Sequence, residues 1–125
     1  MSEIRATTIS DAAGTGPITL TGQSAAKSWS NFDGSSFGVR DSFNHSSVTD
    51  NGTGNYTPNF NSAMNGSNYS AIVSAGGSTA LNFYSRGTRH ETYSTTSYRF
   101  TTEWQPSSTL YDTTYVNTAT FGDLA

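Results

Sequence analysis

Apolar and polar side chains alternate along much of this chain, and the alternation marks out its elements. Phe37, Val39, Asp41 and Phe43 fall on one side of a period of two, with Gly38, Arg40 and Ser42 on the other. That spacing predicts a half-buried strand. Tyr56, Pro58 and Phe60 alternate with Thr57 and Asn59 and predict a second. Between them Asp50-Asn51-Gly52-Thr53-Gly54-Asn55 supplies the Asn and Gly that tight reversals need, so 37–43 and 56–60 are expected to pair as a hairpin. Pro58 has no N–H for a ladder, which favours an edge strand or an outward-facing position.

Further strands follow the same rule. Tyr69, Ala71 and Val73, with Ile72 opposite, predict one that ends at Gly76-Gly77. Leu81 and Phe83 predict another over Ala80–Tyr84. Tyr98, Phe100, Thr102 and Trp104 alternate cleanly, as do Tyr115, Asn117, Ala119 and Phe121. Ser24 to Ser28 is expected to form one helical turn capped by Ser24, and Trp29 and Phe32 then lead into a turn at Asp33–Ser36. About seven strands at short spacing, each followed by turn residues, predict an all-β fold: an antiparallel β-sandwich or jelly-roll-like single domain. Ile4, Ile9, Ile18 and Leu20 are too sparse to close a core of their own. Residues 1–28 are therefore expected to be an extended N-terminal arm, for attachment or inter-subunit contact, and 29–125 the sandwich head.

Composition sharpens this picture. Apolar residues make up 33% of the 125 positions and charged ones only 12%, and such low hydrophobicity alone reads as disorder. The 7 Phe, 7 Tyr and 2 Trp reverse that reading, because aromatics bury the most area per side chain. A net charge of −3 with 6 Lys and Arg offers no clustered positive charge, so nucleic acid is not an expected partner. Cysteine is absent, which excludes disulfides and thiolate metal sites. No apolar run is long enough for a bilayer span or a signal peptide, so membrane insertion is not expected. The five Asn-x-Ser/Thr sequons, at Asn44, Asn51, Asn55, Asn65 and Asn68, read as turn asparagines.

The stretch RDSFN-x-SS-x-TDNGTG-x-YT-x-NF from Arg40 to Phe60, with Ala63-Met64 and Asn68-Tyr69 after it, resembles a module of bacteriophage virion proteins. These are small tail-fibre-like proteins of phages that infect aquatic bacteria. The leader Thr8–Pro17 and Gln23–Lys27 before Trp29 resemble the same family. The likeness runs to about Gly76 and resumes at Tyr115–Asp123; Gly76 to Tyr111 stand outside it. It departs from the family pattern at Pro58, where a β-branched residue is expected, and at His45. The resemblance implies a virion structural protein, assembled in the host cytoplasm, and supplies no catalytic residue. It also implies an arm that docks on other virion proteins. A low-apolar chain with such an arm gains most by packing identical copies, so a homotrimer is expected. A capsid decoration (cement) or head-fibre protein is the alternative position on the particle, and a free carbohydrate-binding module the alternative outside it.

Candidate chemistry is thin. His45 follows Asp41 by four residues and His90 stands beside Glu91, but neither belongs to an HxH or HExxH spacing, so no metal or other cofactor is expected. No Gly-x-Ser-x-Gly elbow occurs, Gly14-x-Gly16 and Gly76-Gly77 lack the rest of a phosphate loop, and the carboxylates sit in no telling context. The chain is not expected to be an enzyme. The segment Ser85–Ser97 concentrates Arg86, Arg89, His90 and Tyr93 in an otherwise nearly uncharged sequence. Arg and aromatic side chains anchor recognition surfaces, and Tyr with Arg suits a bacterial surface glycan, so these four are the candidate receptor contacts. The alternative is a solvated loop where charges collect.

Overall fold

The computed structural model describes residues 24–77, 86–104 and 107–125. Among the described residues nine strands run in order: β1 (Ser28–Asp33), β2 (Gly38–Phe43), β3 (His45–Asp50), β4 (Asn55–Phe60), β5 (Ser70–Gly76), β6 (Arg86–Tyr93), β7 (Tyr98–Trp104), β8 (Thr109–Leu110) and β9 (Tyr115–Phe121). They form two antiparallel sheets, β2-β1-β9-β5 and β3-β4-β7-β6, with β8 added to β7. The sheets pack face to face as a β-sandwich, and no helix occurs among the described residues. Most of the expected arm, and the strand expected at Ala80–Tyr84, lie outside the described residues.

The alternating segments at β2, β4, β5, β7 and β9 form strands as expected, but the pairing differs from expectation. The turn falls where Asn and Gly place it, with Gly52 and Gly54 at positive φ (109° and 61°). Its partner strand, however, is β3 and not β2, in the register Val48↔Pro58 and Thr49↔Thr57. β2 belongs to the other sheet and pairs β1. Asn44, at a φ of 55°, breaks the strand between Phe43 and His45 and sends the chain from one sheet to the other. Its side chain fixes that crossing by donating to Lys27 O (2.9 Å) and accepting from Ser62 N (2.7 Å). Nor is β2 half-buried: five of its six residues are exposed, because it is an edge strand.

β4 is internal, between β3 and β7. Its ladder to β7 covers only Asn55↔Thr101 and Tyr56↔Phe100, with an isolated bridge at Asn59↔Ser97. Pro58 falls in the gap, which is how an internal strand accommodates a residue with no N–H. The helical turn expected at Ser24–Ser28 does not form. Ser28 opens β1, and Lys27 N donates to Thr120 O (2.7 Å), extending the ladder instead. Ser85–Ser97, weighed as a solvated loop, is mostly strand β6 and its hairpin turn.

The core is aromatic, as composition demands. Phe32, Tyr56, Phe60, Tyr69, Tyr98 and Phe100 are buried with Val48, Met64 and Val116. Rings meet edge-on or tilted, for example Phe32–Tyr56 at 5.0 Å and Phe60–Tyr69 at 5.6 Å between centroids. Such pairs contribute about 0.5–1.5 kcal/mol each beyond area burial. Hydroxyls fill what aromatics leave. Ser28 and Ser30 of β1 face inward and bond Thr120 and Thr118 of β9 at 2.6 and 2.7 Å, so these buried groups satisfy one another. One end of the sandwich is closed by Asp112, whose Oδ1 accepts from Tyr56 O–H and from Gly54 N, both at 2.7 Å.

Candidate ligand-contact surfaces

The four residues singled out on β6 do not share a face. Arg86 opens the strand, paired in register with Trp104. Arg89 lies opposite Thr101 and projects outward, with its side chain 62% exposed. His90 pairs Phe100 and Tyr93 pairs Tyr98, which puts both on the inward side. The Tyr93 ring packs 5.0 Å from Tyr69, and its hydroxyl lies 3.0 Å from His90 Nδ1. Burial lowers the His90 pKa and raises that of Tyr93. A bulge between His90 and Thr92 inserts Glu91.

Arg89 is itself engaged. Its Nε lies 3.2 Å from Glu103 Oε1 and its Nη2 3.4 Å from Glu91 Oε1. Glu91 Oε2 meets Arg99 Nε at 3.0 Å, and that same Nε donates to Asn55 Oδ1 at 2.9 Å. Glu103 is only 6% exposed on the outward side of β7, and Thr101 Oγ1 donates to it at 3.0 Å. Two cations and two anions thus form a closed, neutral network across β6 and β7. Chemically it ties two strands together, and it leaves no unpaired charge to capture an ion.

The outward face of β2-β1-β9-β5 is organised differently, in rows that cross the strands. One row is apolar: Phe43, Trp29, Ala119 and Ile72 are register neighbours on four successive strands. Phe43 is 54%, Trp29 38% and Ile72 58% exposed. The next row is polar. Arg40 Nη1 donates to Asn31 Oδ1 (3.3 Å), Asn31 Nδ2 donates to Asn117 Oδ1, and Asn117 Nδ2 to Ser74 Oγ (3.5 Å). Beyond it Arg40 pairs Asp33 at 3.1 Å, donates to Thr114 O at 2.7 Å and lies over the Tyr115 ring, 4.7 Å from its centroid. Backbone N–H groups of Ser36 and Ser35 hold the Asp33 carboxyl below its ordinary pKa, with Arg40 adding to the effect.

Sequence reasoning passed over this face. The signal was there in the off-core positions of two strands, Trp29 and Asn31 on one, Asn117 and Ala119 on the other. Parity alone does not say that these meet across the sheet. An open polar concavity lined by Asn65, Asn68, Tyr69 and Asp123 lies beside the C-terminal end of β9. Among the described residues no group of three or more His, Cys, Asp or Glu is placed to hold a metal ion. Fold and surfaces define a two-sheet antiparallel β-sandwich with one closed charge network and one open aromatic and carboxamide face. Comparison with protein-family models, curated proteins and solved structures finds no match for this chain.

Proposed function

We propose that this chain is a non-enzymatic structural protein of a bacteriophage particle, of tail-fibre type, displayed on the particle and in contact with host surface glycan. The observation that carries the reading is where the phage-like stretch lies. Arg40 to Phe60 spans most of β2, all of β3 and β4, and the crossover at Asn44. The likeness therefore covers the strands that join the two sheets, not a loop that any sandwich might share. In this reading residues 1–28 attach the sandwich to another virion protein, and three copies assemble about an axis. Immunogold labelling of purified particles with antibody to the sandwich tests the position. Label at the tail is the expected result, label at the head moves the protein to a capsid decoration role, and bare particles reject both.

A further inference from the structure

We infer that the outward face of β2-β1-β9-β5 is a binding platform for a neutral oligosaccharide. The inference rests on the particle-surface reading above and gives it a site, different from the β6 residues that sequence alone favoured. Pyranose rings are amphipathic: one face is a patch of C–H groups, and the rim is a set of hydroxyls that both donate and accept. The outward face has the complementary layout. Trp29, Phe43 and Ile72 give an exposed apolar row. Ala119, the smallest side chain in that row, lies between Trp29 and Ile72. Those two stand two strands apart, roughly 10 Å, so Ala119 floors a shallow trough the width of a sugar ring.

The hydroxyl partners lie in the adjoining row. A carboxamide has two N–H donors and two acceptor lone pairs. Asn31 spends one donor on Asn117 and one acceptor on Arg40, and Asn117 spends one acceptor on Asn31 and one donor on Ser74. Each keeps one donor and one acceptor, and the relay starting at Arg40 fixes which way each amide points. A ligand therefore meets an oriented set of partners with little ordering left to do.

Charge decides the ligand class. β5 and β9 carry no charged residue, and Lys27 and Arg40 offset Asp33 and Asp41 around the other two strands. Arg40 is already paired with Asp33 and bonded to Thr114 O. A phosphate- or carboxylate-rich polymer would meet no net positive charge on these four strands and Lys27. A second copy of the chain laid on this face would bury the spare carboxamide groups with no assured partner, which costs free energy for each one left unmade.

The test uses the intact protein carrying Trp104→Phe, so that Trp29 is the remaining indole. It is titrated with neutral hexasaccharides of β-1,4-linked N-acetylglucosamine, β-1,3-linked glucose and α-1,6-linked mannose, and with hexagalacturonate as the anionic control. Saturable change in Trp29 fluorescence with at least one neutral probe, and none with hexagalacturonate, is expected. Ile72→Ser and Asn117→Ala change exposed side chains and leave melting unchanged within a few degrees. Each is expected to weaken binding about tenfold, while Arg89→Ala leaves it intact. No response to any neutral probe, equal binding of the anionic one, or full affinity in both face variants overturns the inference. So does a fall in sedimenting mass in the Ile72→Ser variant, which would make the face a contact between copies. Virion labelling is read separately, so a failed site and a failed particle assignment give different results.

Discussion

Two glycines in one turn show how far a residue's surroundings decide its importance. Gly52 and Gly54 both adopt positive φ, but a Cβ on Gly52 meets open space, whereas one on Gly54 would sit 2.6 Å from Tyr111 N and 2.7 Å from Thr102 O. Gly54→Ala is therefore expected to cost on the order of 2–4 kcal/mol, strain and clash together, and Gly52→Ala closer to 1. Thermal melting of the two variants compares them directly. His45 makes a second residue-scale case. Its ring lies edge-on to Phe60, neither nitrogen has a hydrogen-bond partner, and burial lowers its pKa from 6.5 to about 4. Above pH 6.5 the ring is neutral folded and unfolded alike. Between 6.5 and about 4 the unfolded chain takes up the proton and the folded one does not, so stability falls through that window and levels off below it. Asp33, with its lowered pKa, contributes stability above pH 3.8 that is lost only at lower pH, so the two windows separate. Melting temperature is expected to drop from pH 7 to pH 4.5, and His45→Leu to flatten that drop. An unchanged slope in the variant would place the pH sensitivity elsewhere.

At the scale of elements, alternation locates β4 and β7 because each places large inward residues two apart, Tyr56 and Phe60 on one and Tyr98 and Phe100 on the other. In β9 the period of two is right but the side is not: Tyr115, Asn117, Ala119 and Phe121 face outward, and the buried positions are Val116, Thr118 and Thr120. Parity also tells which side of β7 is core through Thr102, but not at Trp104. Trp104 continues the alternation and is 44% exposed, packed edge-on against Tyr111 at the sandwich rim, whereas Phe100 is fully buried. Phe100→Ala is expected to cost about 3–5 kcal/mol. Trp104→Ala should cost distinctly less, and equal losses in denaturant melts would contradict the burial seen here. β3 and β1 were illegible for a different reason. β3 has a single buried large apolar residue, Val48, and β1 buries two serines beside Phe32. The inward serines of β1 bond Thr118 and Thr120, some ninety residues away in sequence, and no local pattern announces that. The sequence points the hairpin to β2 for another reason: Phe37, Val39 and Phe43 look like core residues, yet they serve the rim and the outward face. On β6, parity was obscured by the Glu91 bulge, which returns His90 and Tyr93 to the inside. Tyr93→Ala should therefore lower stability, and Arg89→Ala should too, by leaving the buried Glu103 short of its cation.

Across the whole molecule, two faces of one sandwich have opposite chemical character. The β6–β7 face closes its charges on themselves, and the β2-β1-β9-β5 face presents aromatics and half-used carboxamides to whatever lies outside. Trimer assembly belongs to this scale as well: sedimentation equilibrium of the intact chain is expected to give three times the 13.3 kDa subunit mass, and a monomer would reject it. The proposed function stands on one claim, that the protein belongs to a virion. Quantitative mass spectrometry of gradient-purified particles tests it most directly. The account predicts peptides of this chain in a constant ratio to the major capsid protein across the particle peak. Peptides that stay with soluble lysate proteins, leaving the particle fractions empty, would contradict it.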